Sequence, residues 1–251
     1  MGPESTLLIK SIRYGTGSRT ETTRECLLPN GRTSLWVILN RDEFRSDQQT
    51  VPGAFVVGPN DRASVIEIES GRAHLEVEFT SAGAAAFFPT ALSELRGDVV
   101  GLRELWGTDG GQLRERVLVA RDRTQVVEAM LLRHLTGNPD PAMCAAVDWI
   151  ETGASLATVT ERLGLLPRTF RRRFVAQVGM TPKRYARIRR LQRVVHAIDG
   201  CTRPDWALVA AQHGYSDQAH LIDEFRDLVG STPGQYIARR IDGPSHLRID
   251  D

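Results

Sequence analysis

Residues 156–174 read LATVTERLGLLPRTFRRRF, and their punctuation decides how the second half of the chain folds. Leu156, Val159 and Leu163 recur at the spacing of one helical stripe. Gly164 follows, a residue that enters the left-handed region without steric cost, so it can end a helix and turn the chain sharply. Leu165 is the apolar residue expected to pin that turn, and Pro167 brings a φ already suited to the first position of a new helix. Phe170 and Phe174, four residues apart, face inward together, while Arg168, Arg171 and Arg172 project elsewhere. Two short helices joined by a turn, the second loaded with arginine on its outer face, make a helix-turn-helix.

Moving towards the C-terminus, Gly179-Met180-Thr181-Pro182 punctuates again, with Thr181 as N-cap and Pro182 in the first turn. A helix over 182–198 places Tyr185, Ile188, Leu191 and Val195 inward, and Lys183, Arg184, Arg187, Arg190 and Arg193 around its polar side. The pattern then repeats. A support helix over 207–213 carries Val209 and Ala210, with Trp206 just before it. Gly214-Tyr215-Ser216 makes the turn, and Ser216 is expected to cap a helix over 217–229, with Asp217 as a first-turn acid favoured by the helix dipole. His220, Leu221, Phe225 and Leu228 mark the apolar side of that helix. Phe174, Gly179, Thr181, Pro182 and Tyr185 recur as Phe225, Gly230, Thr232, Pro233 and Tyr236, each 51 residues later, which marks a duplicated supersecondary unit.

Charge is concentrated in the first of these units. The formal net charge is only +1, yet residues 161–193 hold 11 Lys/Arg and one acid, Glu161. Residues 1–138 balance 16 basic against 18 acidic side chains, and 194–251 hold 5 basic and 9 acidic. A positive field inside a near-neutral chain attracts polyanions. Cys26, Cys144 and Cys201 are too few and too far apart for a disulfide framework or a metal knuckle. The start, MGPESTLLIK, lacks the apolar core of a signal peptide. No apolar run approaches the ~20 residues a membrane-spanning helix needs. A cytoplasmic protein with no membrane partner is expected.

The first eighty residues read as strands. Leu35–Leu39 is a short apolar run, and Ala54–Val57 lies between Pro52-Gly53 and Gly58-Pro59. From His74 to Phe79 the sequence alternates, with Leu75, Val77 and Phe79 on one face and Glu76 and Glu78 on the other. Helical segments are expected at 81–88, 92–95, 102–106, 113–119 and 124–135, with Gly107-Thr108-Asp109-Gly110-Gly111 a turn. Gly137-Asn138-Pro139-Asp140-Pro141 reads as a linker. The expected fold class is α+β. A β-rich domain with appended helices (1–137) precedes an all-α tandem helix-turn-helix domain of about seven helices (138–243), and a polar, frayed tail (244–251) follows.

From about Asp140 to Arg240 the chain resembles the DNA-binding domain of AraC/XylS-type transcription regulators. The resemblance rests on Gly164, Arg168, Phe170, Arg172-Arg173-Phe174 and Gly179-Met180-Thr181-Pro182. In the second half it rests on Ala210, Gly214-Tyr215-Ser216-Asp217-Gln218, His220, Phe225 and Gly230-Ser231-Thr232-Pro233. It implies two recognition helices set in successive major grooves of double-stranded DNA by a long linker helix. Three positions depart from the pattern. Leu166 stands where an N-cap Ser is usual, Thr160 where a small Ala is usual, and Asp223 where an Arg is usual. They suggest that the first recognition helix and the linker helix dominate binding. The N-terminal part resembles, less specifically, a region that precedes this reader in some regulators, through Leu28-Pro29-Asn30-Gly31, Val56-Val57-Gly58-Pro59 and Ala82-Gly83-Ala84-Ala85. In the wider family such a domain binds a small-molecule effector or mediates dimerisation. Monomer and homodimer, and contact with RNA polymerase, are all compatible with it.

A run of arginines is most often a solvated helix face. The turn, the Gly/Pro punctuation and the repeat shift the reading of Arg168, Thr169, Arg171 and Arg172 to DNA contact, since arginine forks onto guanine and neutralises phosphate. Lys183, Arg184, Arg187 and Arg190 are expected at phosphates or in solvent. Gln218 is the candidate adenine reader of the second unit, and His220 a packed or phosphate-side residue. His74, beside Glu76 on a strand, fits surface polarity better than a pocket. No histidine has a metal spacing, and no nucleophile constellation or phosphate loop occurs, so neither a catalytic residue, a metal nor a cofactor is expected. One rival function is a small-molecule-binding or enzymatic N-terminal domain with the helices as tether. Another is a protein-interaction module, which predicts little salt dependence and no preferred DNA sequence.

Overall fold

The computed structural model describes residues 8–16, 22–45, 49–68, 71–240 and 246–248. The signal-peptide reading of the N-terminus therefore falls largely outside the described residues. In chain order the strands are β1 (Ile9–Thr16), β2 (Thr23–Leu27), β3 (Ser34–Ile38), β4 (Glu43–Arg45), β5 (Thr50–Pro52), β6 (Ala54–Val57), β7 (Ser64–Ile68), β8 (Ala73–Phe79), β9 (Val99–Gly101) and β10 (His246–Arg248). The helices are α1 (Leu102–Val119), α2 (Arg123–Arg133), α3 (Pro141–Glu151), α4 (Leu156–Leu163), α5 (Pro167–Val178), α6 (Pro182–Ala197), α7 (Trp206–Gln212), α8 (Gln218–Val229) and α9 (Pro233–Arg239). Among the described residues the order is that of an α+β protein: a β-rich part, two helices, then seven further helices as expected.

The main sheet has the order β1-β8-β3-β6-β9, antiparallel throughout. Register puts Leu35 opposite Val77 and Val56, and Val37 opposite Leu75, so one face is wholly apolar. That face packs on Leu102, Trp106, Leu113 and Val117 of α1 and on Val127, Met130 and Leu131 of α2 in one buried cluster. A smaller cluster of Ile38, Phe44, Val51, Phe55 and Ile66 lies where β3, β6, β7 and the β4–β5 hairpin meet. The outer alternation of β8 is not solvated. Glu78 is buried and pairs with Arg32 at 2.9 Å and Lys10 at 3.1 Å.

Several local expectations are corrected. The segment 81–88 makes only a 3-10 turn at Ala84–Ala86. Thr80 N–H bonds the Leu8 carbonyl, and a Cβ at Gly83 would lie 2.3 Å from that same oxygen, so the chain is pinned to β1 before a full helix can wind. Residues 107–111 are not a turn. Gly107 alone leaves helical geometry (φ 59°, ψ −134°), and α1 continues past the kink. The tail, expected to fray, supplies β10, which pairs antiparallel with β2. An open sheet edge offers backbone partners that a polar composition does not advertise. His74 is half-buried and stacks on Trp36 at 4.6 Å. Burial, Arg72 and Arg13 lower its pKa to about 4, so it is neutral near pH 7.

The seven C-terminal helices share a second core built on the inward residues read from the sequence. Phe174, Tyr185, Ile188, Leu191, Val195, Leu221 and Tyr236 are all fully buried in it. Leu28 and Ala82 of the β-rich part join the same cluster.

Candidate nucleic-acid interface

The first unit is built as its punctuation implies. Ser155 caps α4 by accepting from Thr158 N–H, and Gly164 ends it at φ 62°. Pro167 starts α5 and Gly179 ends it at φ 80°. Leu166 occupies the N-cap position of α5 but supplies no side-chain bond and stands 75% exposed. Phe170 and Phe174 meet edge to face, 5.5 Å between ring centroids, and are buried. With that stripe fixed, Arg168, Arg171 and Arg172 are exposed and Thr169 is half-buried.

The second unit repeats the plan with one correction. Asp217, not Ser216, caps α8, accepting from the His220 N–H at 2.8 Å. That bond, with a second from the Ser216 hydroxyl, holds its carboxyl below the ordinary range. A carboxylate at the N-cap meets both the free N–H groups and the positive end of the helix, which a hydroxyl one residue earlier cannot do. His220 does not lie on the apolar side. It is exposed beside Gln218, with its Nδ1 within 3.1 Å of the Ser216 hydroxyl and its ring edge-on to Tyr215.

The linker helix departs most from expectation. Arg187 donates to Glu224 at 2.8 Å and to Asp227 at 2.6 Å. Arg190 donates to both oxygens of Glu224, at 2.9 and 2.7 Å, and lies over the Tyr215 ring. Burial pushes the Glu224 carboxyl up, but bonds from Arg190 and Arg187 outweigh it and hold the group ionised, below its usual range. Arg184 donates to the Asp61 carbonyl at 2.6 Å. These three side chains are thus neither solvated nor free. Their acceptors lie far away in sequence: helix packing brings in Glu224 and Asp227, and the loop at Asp61 meets Arg184.

Four further members of the basic run are also structural. Arg173 forks onto Asp140, the N-cap of α3, with both bonds 2.8 Å. Arg189 approaches Glu151 at 3.4 Å, and Arg193 donates to the carbonyls of Ile150 and Glu151 at the end of α3. Arg162 lies over the Trp149 ring at 5.2 Å. Among the described residues no ion pair holds Arg168, Arg171, Arg172 or Lys183.

Two surface hollows connect what remains. One, between α4, α5 and α6, is bordered by Leu156, Phe170, Arg171 and Lys183. The other, between the start of α4, α6 and α8, is bordered by Leu156, Lys183, Arg190 and His220. Because they share Leu156 and Lys183, Arg171 of α5 and His220 near the exposed start of α8 border one continuous surface.

Sequence reasoning missed Glu224 and Asp61. Glu224 had a signal: it falls between Leu221, Phe225 and Leu228 on the inward stripe, where an acid needs a cation. Asp61, in a loop, had none. Among the described residues no group of three or more His, Cys, Asp or Glu could hold a metal ion, and no helix is long and apolar enough to cross a membrane.

Residues 159–239 match the family described as "Helix-turn-helix domain". This part of the chain is a helix-turn-helix domain. No curated protein matches the chain in sequence. Among solved structures, ToxT from Vibrio cholerae is similar at 10% identity, covering 91% of this chain and 98% of that one, with a TM-score of 0.45. ToxT bound to (E)-4-(8-methylnaphthalen-1-yl)but-3-enoic acid has the same identity and coverage, with a TM-score of 0.46. ToxT bound to an unsaturated fatty acid gives 10% identity, 92% and 95% coverage, and a TM-score of 0.41.

Proposed function

We propose that this chain is a cytoplasmic, sequence-specific DNA-binding transcription regulator, with residues 1–137 and 138–243 as its two domains. α5 and α8 enter successive major grooves of one duplex face. Arg168, Arg171 and Arg172 approach bases and phosphates, Lys183 a phosphate, and Gln218 a base edge. One observation carries this reading. Within a basic run where Arg173, Arg184, Arg187, Arg189, Arg190 and Arg193 all have acceptors, Arg168, Arg171 and Arg172 on the outer face of α5 have no carboxylate partner among the described residues. A fold that neutralises its structural cations leaves unneutralised those that meet an outside anion.

A small-molecule effector is part of the reading. The β-rich part holds an apolar hollow lined by Trp36, Phe44, Phe55 and Ile66, with Arg72 over the Trp36 ring. The same Trp36, Ile66 and Arg72 border a polar hollow that reaches Arg189 and Gln192 of α6.

The test is selection of duplexes from a random pool by the purified protein, followed by affinity measurement with Arg168→Ala and Arg172→Ala. A selected sequence and a loss of more than about tenfold for either variant are expected, as for an arginine that reads guanine. Affinity within about twofold of wild type for both would remove α5 from the interface. Binding with no sequence preference and little response to salt would instead favour a protein-interaction module.

A further inference from the structure

A single segment of the β-rich part grips both the linker helix and the second unit. The Asp61 carbonyl accepts Arg184 Nη2 at 2.6 Å, and its carboxylate lies 3.4 Å from Arg184 Nε. Two residues on, the Ala63 N–H donates to the Leu228 carbonyl at 3.1 Å, in the last turn of α8. The segment is itself held from behind. Asn60 accepts the Gly31 N–H at 2.9 Å, and Arg96 approaches Asp61 at 3.7 Å. Separate pieces of the β-rich part hold the first unit: Gln177 at the end of α5 donates to the Ala82 carbonyl, and Gly179 lies against the Leu92 backbone. The middle of α6 is fixed too, by Gln192 to the Pro29 carbonyl at 2.7 Å and by Tyr185, whose hydroxyl lies 2.8 Å from Ser81 Oγ.

Each recognition helix is therefore tied to the same β-rich part by its own contacts. α5 is held at its C-terminal end. α8 is held by Leu228, and through Arg184, which also lies 3.9 Å from Asp227 of α8. Without the grip of Asp61 and Ala63, α8 keeps its place through its buried Leu221, Phe225 and Leu228 and through the Arg187 and Arg190 bonds to Glu224 on α6. A helix that keeps its core contacts but loses an outer tether can rock on that core. A rocked α8 would still bind DNA, but it would meet the second groove at a less defined distance.

We propose that Asp61 and Ala63 are positioning residues for DNA reading: from outside the helical part they set where α8 stands relative to α5, and hence which spacing between the two half-sites the protein accepts. The inference rests on the DNA-binding function proposed above. It differs from that function in what it predicts, because neither residue is placed at the duplex. Half-site spacing is a sharp probe, since each added base pair moves the second groove ~3.4 Å along and about a tenth of a turn around the axis.

The experiment uses the full chain and the best selected duplex, with the spacing between half-sites altered by one base pair either way, and a control duplex that keeps only the half-site read by α5. For the wild type, either change in spacing should weaken binding by about tenfold or more, comparable with a lost base contact. Asp61→Ala and Ala63→Pro, the second deleting the N–H donor, should bind the native spacing somewhat less well and reduce the spacing penalty to about threefold or less. Both should bind the half-site control like wild type. Asp61→Ala keeps the main-chain carbonyl and loses only the carboxylate, so Asp61→Asn, which returns a side-chain oxygen beside Arg184, should restore most of that variant's discrimination. Wild-type spacing discrimination in both Asp61→Ala and Ala63→Pro would overturn the proposal. So would an equal loss on the half-site control, which would mean general damage to the fold. A wild type that prefers no duplex at all would instead defeat the DNA-binding function beneath it.

Discussion

Removing the carboxylate of Glu224 is the perturbation that best separates a packed reader from a loose one. The Glu224 side chain is 5% exposed, and it receives Arg187 and Arg190, which are 27% and 23% exposed, through bonds of 2.7–2.9 Å. Breaking a fully buried pair from one side costs about 3–5 kcal/mol, because a charge is left without a partner in a poor solvent for it. Here each guanidinium keeps a path to water, and Arg187 retains Asp227, so the cost falls to about 2–3 kcal/mol. Glu224→Gln keeps the volume but turns an amide donor towards two cations, and it should lose about 2 kcal/mol. For a chain of this size the melting temperature should drop by roughly 5–10 °C for Glu224→Ala.

The assay is thermal and urea unfolding of the full chain across pH. Glu224 is ionised below its usual range because the bonds from Arg190 and Arg187 outweigh burial. A depressed carboxyl contributes stability that is present above the unfolded pKa, near 4.3, and is lost as pH falls through the lower folded value. The gap between wild type and Glu224→Gln should therefore be full at pH 7 and close progressively below about pH 4. A difference under about 0.5 kcal/mol at pH 7, or one that does not change with acid, would refute the idea that this carboxylate joins α6 to α8.

Other outcomes follow from single positions. Leu166→Ser should stabilise the protein by about 1 kcal/mol, read as a higher melting temperature, because it gives α5 the side-chain cap it lacks and gives up little packing. Gly179→Ala should cost about 2 kcal/mol or more in urea unfolding, since φ is 80° and the new Cβ would sit 2.8 Å from the Leu92 backbone. The salt dependence of DNA binding should be shallower than the length of the basic run implies. Six engaged phosphates would give a slope near −5, but Arg168, Arg171, Arg172 and Lys183 alone give about −4 in a plot of log K against log salt. A slope of about −5 or steeper would mean that Arg187 and Arg190 leave Glu224 on binding.

Much of the helical part was legible because its signals are local. Gly164, Gly179 and Gly230 end helices in the left-handed region, and Thr181 and Thr232 cap the helices that follow. Each of these is decided by a residue and its near neighbours, and the 51-residue repeat doubles the signal. Strands β3, β6 and β8 were readable for the same reason. What was not legible depends on partners distant in sequence. The 3-10 turn at Ala84–Ala86 reflects the grip of Leu8, and β10 reflects an open edge at β2. A helical composition and a polar tail predict neither.

The same distinction decides how a basic run should be read. Charge counting treats the eleven cations of residues 161–193 as one patch, and on that view the linker helix, with its ring of arginines, is the strongest DNA contact. Packing divides them. Arg173, Arg187, Arg189 and Arg190 meet Asp140, Glu224 and Glu151, each at least 33 residues away, and Arg184 meets Asp61 across 123. A cation with such a partner gives up much of its field, and it must break that contact before it can neutralise a phosphate. Among the described residues, Arg168, Arg171 and Arg172 of α5 meet no acid, because Phe170 and Phe174 face the core and turn these three away from it. Inward aromatics at i and i+4 therefore specify the outward, unpaired set more sharply than the charges do. By the same reasoning α6 is a strut, whose Arg187 and Arg190 tie it to Glu224 of α8.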